Sequence, residues 1–384
     1  MASWISMNEA CAQLGVRAQT VYAYVSRGKI EVMPDPADTR RSLYRAEDVA
    51  GLAKRKEAGR KHETLAANTL FGAEPSIPTA LTAFFRGRPY YRGRDAVELA
   101  RTATLEEAAQ LLWGAEPAVD FSLPAASASP PAGRPGRLAA FTLLAGLAAT
   151  GHSTRGRLTR VLHLEGQSLV GQMACAFGAA AGSQPLHLRF AKGWKQPTRV
   201  AELLRMAMVL LVDHELTSSA FAARITASTG ASLPACLLAG LTTLSGPLHG
   251  DASGRVQTLF GDVERLGADQ VLEHHLSAGL PFAGFGHHIY PDGDPRAAAL
   301  LALFEPQPVI ARFIEQVTRL TGLAPNIDVA LAALVAHHRL PDDAAFTLFA
   351  TARSIGLLAH SLEQLQVAQV IRPRGRYVGV MPAM

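Results

Sequence analysis

Three residues that do not fit helical faces carry side chains suited to acid–base chemistry. His249 lies in the run GPLHG (246–250), His287 in GFGHHIY (284–290) and Asp328 in PNIDVAL (325–331). Imidazoles titrate near neutrality and a carboxylate accepts protons, so this set fits a reaction in which protons move. The neighbouring glycines allow close approach of the backbone to a ligand. The alternative is that the two histidines only cap helices.

A second group is suited to binding a small polycarboxylate. His214 stands in the motif Asp-His-Glu (213–215), and three arginines are spread over the last ninety residues, namely Arg296, Arg353 and Arg372. The guanidinium group presents a planar fork of donors that matches a carboxylate. Together the two groups predict a site that binds an anionic substrate and transfers protons.

Other chemistries have less support in the sequence. It contains no HExxH, no CxxC, no GxxxxGK[ST] and no strand-framed GxGxxG, which disfavours zinc proteases, P-loop NTPases and dinucleotide-binding folds. The pairs His274-His275 and His337-His338 could bind a metal, but no carboxylate lies beside them at ligand spacing. Surface or helix-terminal positions are the alternative for these pairs. We predict neither a metal nor a resident cofactor.

Helices must position these side chains. Of the 384 residues, 48% are hydrophobic and 7% aromatic. Apolar residues recur at helical spacing in 95–114, 199–216 and 345–371, and alternating strand-like runs are nearly absent, so the chain from residue 63 is predicted to be predominantly α. The Pro-, Ala- and Ser-rich stretch 118–137 is predicted to be a mobile loop within this body.

The surroundings of the protein can also be inferred. The longest apolar run, 138–149, is too short to span a membrane, which takes about 20 residues, and the N-terminus lacks the pattern of a signal peptide. Cys11, Cys175 and Cys236 are an odd, widely spaced set, which favours free thiols in a reducing compartment. We therefore expect a cytoplasmic protein that is not embedded in a membrane.

The first 62 residues have a separate pattern. They hold 11 Lys/Arg against 7 Asp/Glu, which is most of the net charge of +5. Ser6 and Glu9 fit a capping box, Gly15 and Gly28 end two short helices, and 30–45 is typical of a two-stranded wing. A third helix begins at Ala46 and runs into a basic segment.

This segment resembles the excisionase-like and MerR-like winged helix-turn-helix families. The matching residues include Glu9-Ala10, Leu14-Gly15-Val16, Thr20-Val21-Tyr22, Arg27-Gly28 and Tyr44-Arg45. The resemblance implies DNA contacts from Arg17, Gln19, Thr20 and Arg27 in a major groove and from Arg40 and Arg41 in the wing. A role in protein contacts alone is the alternative.

From about residue 69 to 384 the chain resembles citrate synthases. The runs that carry the resemblance are, in order, DHELTSSAFAAR, GPLHG, GFGHHIYPDGDPRA, NIDVAL, ARSIGLLAHSLEQ and RPRGRYVG. The nine-residue spacing from His287 to Arg296 also matches. The resemblance implies an all-α citrate synthase fold. Its large domain would comprise 63–250 and 344–384 and its small domain 251–343, after a winged helix-turn-helix domain at 1–62.

The same resemblance implies a reaction and a role for each residue. Asp328 would remove a methyl proton from acetyl-CoA, His249 would bind the thioester carbonyl, and His287 would polarise the ketone of oxaloacetate. Oxaloacetate would be bound by His214, Arg296 and Arg353, with Arg372 supplied by the other subunit of a homodimer. The products would be citrate and CoA, as in the tricarboxylic acid cycle, or 2-methylcitrate from propionyl-CoA.

Several positions depart from the family pattern. His288 to Pro291 replace the usual Arg-Val-Tyr-Lys, Leu211 replaces a frequent His, and GDAS (250–253) follows the first catalytic histidine where many members have small residues and an Asn. The CoA-binding rim is thus altered. The alternative function is a DNA-binding regulator that uses a synthase-like body to sense a metabolite.

Overall fold

A computed structural model describes residues 3–26, 28–36, 38–53, 77–124, 136–367, 369–373 and 378–379. The chain divides into two compact units, Met1–Ile77 with Pro373–Met384, and Pro78–Arg372. The basic segment after the third helix, most of the Pro-rich stretch and Arg27 lie outside the described residues.

The first unit contains three short helices and a three-stranded antiparallel sheet of order β1-β3-β2. Its elements are β1 (Trp4–Ile5), α1 (Met7–Leu14), α2 (Ala18–Ser26), β2 (Val32–Asp35), β3 (Asp38–Arg45) and α3 (46–53). The predicted capping box at Ser6 and Glu9 is confirmed, and Gly15 and Gly28 have the left-handed φ values of 57° and 65°. A small core of Ala10, Leu14, Val21, Ile30, Tyr44 and Val49 holds this unit together.

The second unit is mainly helical. Its helices are α4 (Ala96–Thr102), α5 (Leu105–Trp113), α6 (Arg137–Thr150), α7 (Thr159–Ala176), α8 (Leu186–Gly193), α9 (Thr198–Leu211), α10 (Ser218–Ser228), α11 (Leu233–Leu244), α12 (Ala252–Leu266), α13 (Ala268–Ser277), α14 (Pro295–Leu301), α15 (Pro308–Thr321), α16 (Ile327–His338) and α17 (Ala344–Leu365). A break separates α4 from α5, because Thr104 forms a capping box with Glu107. None of the described helices combines the length and apolar character needed to cross a membrane.

A small sheet corrects the all-α expectation. Strands β4 (Thr82–Phe85), β5 (Arg88–Tyr91) and β6 (Arg94–Asp95) form a second antiparallel sheet. The turns between them are Arg86-Gly87 and Arg92-Gly93, and all four residues have positive φ between 44° and 79°. Such primed turns match the twist of paired strands, so two Arg-Gly pairs fold the segment into hairpins.

Two hydrophobic clusters form the core of this unit. The larger one surrounds α17, which is buried on nearly every side. The smaller one joins α12, α13 and α15. Helix α16 contributes to both, with Ala330 and Leu334 in the larger cluster and Val329 and Ala333 in the smaller. A helix that is apolar all round can be buried in this way. Its N-terminus carries Asp328 to the place where the clusters meet.

Candidate active site

The turn that carries His287 is tied to the segment before Asp328. The Gly286 N–H donates to Ala324 O at 2.8 Å, and the Asn326 N–H donates to Gly284 O at 2.9 Å. Gly284 has φ 82°, and a Cβ there would lie within 2.6 Å of Val256 and 2.7 Å of Val329. This glycine is therefore required because the turn packs closely on α12 and α16.

His287 lies in a group of aromatic rings. Its ring centroid is 4.8 Å from Tyr290, 4.8 Å from His288 and 5.4 Å from His214. The Ile289 N–H donates to Nδ1 of His287 at 3.1 Å. Burial, and secondly the charge of Arg296, lower the pKa of His287 to about 4. The neutral ring accepts at Nδ1, so its proton is on Nε2, which can donate to a substrate oxygen.

His214 follows the end of α9 and is held by residues of the small sheet. Tyr91 of β5 donates its hydroxyl to Leu210 O at 3.1 Å and approaches Asp213 O at 3.3 Å. Phe84 of β4 packs edge-on against the His214 ring. The Nε2 atom of His214 is 3.0 Å from the Tyr290 hydroxyl, and burial places the pKa of His214 well below its usual value.

Two buried arginines lie beside these rings but differ in their partners. Arg296 on α14 forms a two-fold ion pair with Asp294 at 3.0 and 2.8 Å. Arg353 on α17 donates Nε to Leu211 O at 3.1 Å, and no carboxylate of the described residues lies within ion-pair distance of it. Burial lowers the pKa of Arg353, while the charges of both arginines help to lower the pKa of His214. Arg353 therefore leaves a buried positive charge that an anionic ligand can neutralise.

Asp328 is in the first turn of α16. Asn326 caps the helix by accepting from the Asp328 N–H at 3.0 Å. The Oδ1 atom of Asp328 is buried and has no hydrogen-bond partner within the described part of the chain. Burial raises the pKa of Asp328 to about 7, in spite of the opposing charge of Arg296. A carboxylate in this state is a stronger base than an exposed one.

His249 lies in the turn between α11 and α12. Its Nε2 is 2.8 Å from the hydroxyl of Ser219, a buried residue on α10. Burial, and secondly the charge of Arg353, lower the pKa of His249 to about 4. Like His287, it is a neutral hydrogen-bonding group at pH 7.

The structure places most of the predicted catalytic and substrate residues in one region. Rings of His214 and His287 adjoin each other, and the charge of Arg353 acts on His249, His214 and Asp328. Arg372 differs. It is exposed in the segment after α17, where the Ile371 N–H donates to Ser228, and no contact of the described residues joins it to this group.

The predicted DNA-contacting residues lie apart in the first unit. Arg17 and Gln19 are exposed and Thr20 is half-buried. Arg41 is exposed and lies 3.3 Å from the carboxylate of Asp38. Arg40 is in β3, but its side chain, like all of Arg27, is outside the described residues.

Sequence reasoning missed four side chains that hold the site. Tyr290 contacts His214, Asp294 pairs with Arg296, Ser219 contacts His249, and Tyr91 supports the end of α9. Asp294-Pro295 is a recognisable helix start, and Asp294 does cap α14. The other three show no local signal of their contacts. No group of three His, Cys, Asp or Glu side chains in the described part of the chain is arranged to hold a metal ion.

Comparison with known proteins identifies relatives of this second unit. A family model described as citrate synthase, C-terminal domain, matches residues 158–374. Citrate synthase of Haloferax volcanii is 35% identical over 201 residues, which are 48% of this chain and 52% of that protein. A 2-methylcitrate synthase of Shewanella oneidensis is 30% identical over 223 residues, covering 52% of this chain and 56% of that protein. The chain thus spans about half the length of the curated relatives it matches.

A solved structure extends the likeness in fold. Citrate synthase from Thermotoga maritima superposes with a TM-score of 0.68 at 24% identity, covering 81% of this chain and 96% of that one. The mostly helical citrate synthase fold is therefore confirmed, with the small sheets as additions to the all-α expectation.

Proposed function

The chain belongs to the citrate synthase family, and we propose that it condenses oxaloacetate with an acyl-CoA to give a citrate-type product and free CoA. The observation that carries this proposal is Asp328. Its Oδ1 is buried without a partner, and its pKa is raised to about 7. Leaving such a group unpaired is costly for stability, which is expected of a catalytic base and not of a residue with a structural role.

The first step is removal of a proton from the methyl or methylene group beside the thioester. Asp328 takes this proton, and the electron pair moves onto the thioester oxygen as an enol or enolate. His249 donates a hydrogen bond to that oxygen. A placed donor is needed because the C–H group is a very weak acid, and stabilising the developing charge is a large part of catalysis. The contact of His249 with Ser219 at 2.8 Å orients the ring for this role.

The second step forms the carbon–carbon bond. The enol carbon attacks the ketone carbon of oxaloacetate, and a hydrogen bond from Nε2 of His287 stabilises the negative charge that develops on the ketone oxygen. This alkoxide then takes up one proton, which balances the proton that Asp328 removed in the first step. The hydrogen bond from Ile289 to Nδ1 supports this assignment, because it leaves the donor on Nε2. Water then hydrolyses the thioester of the condensed product and releases CoA.

The cationic residues are proposed to bind the carboxylates of oxaloacetate. Arg353 is the main candidate because no carboxylate among the described residues pairs with it. Arg296 keeps donor capacity beyond its pair with Asp294, since a guanidinium has five N–H groups. His214 adds a neutral imidazole beside His287.

The test is release of CoA thiol by the purified chain with oxaloacetate and either acetyl-CoA or propionyl-CoA. We expect release with at least one of them. One methylene contributes only about 1–3 kcal/mol to discrimination in an apolar pocket, so both acyl-CoA substrates are compared at saturating concentration. No release with either acyl-CoA would contradict the proposal.

We propose further that the chain is a homodimer in which Arg372 completes the site of the partner subunit. Support comes from the exposure of Arg372 and from the lack of any contact that joins it to the site residues within the described part of one chain. Sedimentation at micromolar concentration should give a dimer mass, and Arg372→Ala should weaken oxaloacetate binding. A monomer with full activity contradicts this proposal.

The domain boundaries and the role of the first unit are also proposals. We infer a large domain (63–250 and 344–384), a small domain (251–343) and an N-terminal winged helix-turn-helix (1–62) in a cytoplasmic protein. The two short helices, the hairpin wing and the exposed Arg17 and Gln19 support DNA binding. Mobility-shift titration with genomic fragments, with and without oxaloacetate, tests it. DNA binding that responds to ligand in a chain without thiol release would favour a regulator.

A further inference from the structure

A two-fold ion pair joins the starts of α6 and α12. Arg137 donates Nη1 to Oδ2 of Asp251 at 3.0 Å and Nη2 to Oδ1 at 2.6 Å. The guanidinium of Arg137 also stacks over the ring of Phe346 on α17, 3.7 Å from its centroid. The positions are 114 residues apart in sequence, and both side chains are partly exposed, at 38% and 28%.

Asp251 stands two residues after His249 and directly before α12. It has the N-cap position of that helix, yet its side chain makes no capping hydrogen bond. Aspartate at this position normally accepts from the first turn of its helix. Here the carboxylate accepts hydrogen bonds from Arg137 instead. Asp251 also lies in the run GDAS, where this chain departs from the family pattern.

The turn 246–250 has few other anchors. Gly250 packs so closely on the end of α11 that a Cβ would lie 2.5 Å from Leu244, and its N–H donates to Leu244 O at 2.9 Å. Leu248, the large apolar residue of the turn, is 88% exposed and contributes little packing. Backbone hydrogen bonds close the turn, from the Asp251 N–H to Gly246 O at 3.4 Å and from the Ala252 N–H to His249 O at 3.0 Å. Its side-chain anchors are His249 through Ser219 and Asp251 through Arg137.

We propose that the Arg137–Asp251 pair positions the imidazole of His249 for its contact with the acyl-CoA thioester. This inference rests on the proposed function. In this inference neither Arg137 nor Asp251 touches the substrate. Arg137 fixes Asp251 to α6 and to Phe346 of the larger hydrophobic cluster, and Asp251 fixes the end of the turn that carries His249.

The pair should matter more for rate than for stability. Partly exposed ion pairs contribute little to folding stability, because water screens the two charges and the side chains lose freedom when they pair. A displacement of a catalytic group by about 1 Å, by contrast, can lower the rate about 100-fold. Loss of the pair should therefore lower kcat while leaving the thermal midpoint and oxaloacetate binding nearly unchanged.

Five variants of the full chain test this inference, namely Asp251→Asn, Arg137→Gln, Arg137→Lys, the double neutral variant and the reversed pair Arg137→Asp with Asp251→Arg. We expect kcat to fall about tenfold or more in both single neutral variants, with no further loss in the double variant. Arg137→Lys should keep the charge but lose the two-fold geometry, giving an intermediate kcat. The reversed pair should recover part of the loss. The dissociation constant of oxaloacetate, measured by calorimetry, should change less than about twofold.

Arg157→Gln is the matched control. Arg157 forms a comparable partly exposed ion pair with Glu165 at 2.6 Å, at the start of α7. Loss of the Arg157–Glu165 ion pair should leave kcat unchanged. The inference is overturned if the Asp251 and Arg137 variants keep kcat within about twofold of wild type, if their losses simply add, or if Arg157→Gln lowers kcat as much.

Hydrogen exchange separates this inference from the proposed function. Amides of 245–251 should exchange faster in Asp251→Asn than in wild type, with little change in α7, because the turn loses an anchor. This readout does not need activity. A wild type without thiol release contradicts the proposed function alone, whereas unchanged exchange in 245–251 contradicts the positioning role.

Discussion

The two units of this chain use cationic side chains in opposite ways. In the first unit Arg17 is exposed, and the side chain of Arg41 is 77% exposed. In the second unit Arg296 and Arg353 are buried, at 2% and 1% exposure. Exposed cations interact weakly with single ions because water and salt screen them, and they bind strongly only to a polyanion. Buried cations can bind one small anion tightly, since no water competes.

The same contrast applies to stability. The first unit pairs its charges at the surface, as Arg45 does with Glu31 and Glu47, and its core is small and apolar. The second unit keeps Arg353 without a carboxylate and Asp328 without a hydrogen bond at Oδ1, among its described residues. Unpaired buried groups destabilise a fold, so the second unit gives up stability at the place where it would bind substrate.

The largest effect is expected from Asp328→Asn. The change keeps the size of the side chain but removes the base, so thiol release should fall by about 100- to 10,000-fold. The affinity for oxaloacetate should change less than about twofold, because Arg353 and His214 remain. A steady-state assay of thiol release measures the rate, and calorimetry in parallel measures the affinity for oxaloacetate. Retention of more than a tenth of the activity would show that another group takes the proton.

The same substitution should raise stability in a pH-dependent way. The pKa of Asp328 is about 7 in the folded chain, whereas an Asp carboxyl in the unfolded chain has a pKa of about 3.9, so the unfolded chain loses this proton first as pH rises. Stability is therefore lost between about pH 4 and 7 and stays lower above 7. Asp328→Asn should increase the free energy of unfolding at pH 8, by up to a few kcal/mol, and not at pH 4. Equal changes at both pH values would contradict the raised pKa.

The next prediction compares two buried arginines, Arg353 and Arg224. Arg353→Gln should weaken oxaloacetate binding by about 10- to 100-fold, since a charge-assisted hydrogen bond contributes about 1.5–3 kcal/mol. No carboxylate of the described residues lies within ion-pair distance of Arg353, but its charge favours the ionised form of buried Asp213, so the thermal midpoint should fall less than when a directly paired arginine is removed. Arg224→Gln is the control, because Arg224 is equally buried but pairs with Glu363 at 2.8 Å. That variant should lose stability and keep its affinity for oxaloacetate. If both variants behaved alike, Arg353 would be a structural cation.

A further prediction concerns how kcat/KM depends on pH. Because the base form of Asp328 is populated above about pH 7, kcat/KM for the acyl-CoA should rise about tenfold per pH unit up to that point and then level off. His249 and His287 have pKa values of about 4, so they should add no inflection between pH 5 and 8. A rate that falls as pH rises through 6 to 7 would show that a cationic imidazole is needed.

Local signals in the sequence predicted local structure well. The capping box of Ser6 and Glu9 depends on residues three positions apart, and it is present. The glycine-containing runs around His249 and His287 likewise mark the turns at which these two residues lie, whereas the helix start at Asp328 was not predicted. The small sheet was missed because its turns place Arg86 and Arg92 at positive φ, which arginine seldom adopts.

Long-range contacts could not be predicted in this way. Tyr91 reaches Asp213 across 122 positions, and Arg137 reaches Asp251 across 114. Such pairs are decided by how helices and hairpins pack, which no short pattern encodes. The pKa values of His249 and Asp328 follow from the same packing, because burial is the largest cause of each shift.

The smallest effect is expected in the first unit, where cations are solvated. Arg17 is exposed, and no carboxylate of the described residues lies within ion-pair distance of it, so it is free to contact a phosphate or a base edge. Arg41 is partly neutralised by Asp38 at 3.3 Å. If the unit binds DNA, Arg17→Ala should weaken binding a few-fold and reduce the slope of log K against log salt by about 1. Arg41→Ala should reduce the slope less, because the wild-type side chain already shares its charge with a carboxylate.

Mobility shifts at several salt concentrations measure both slopes. Equal slopes for wild type and Arg17→Ala would place Arg17 outside the DNA interface, and the absence of any salt-dependent binding would leave the unit as a protein-contact module.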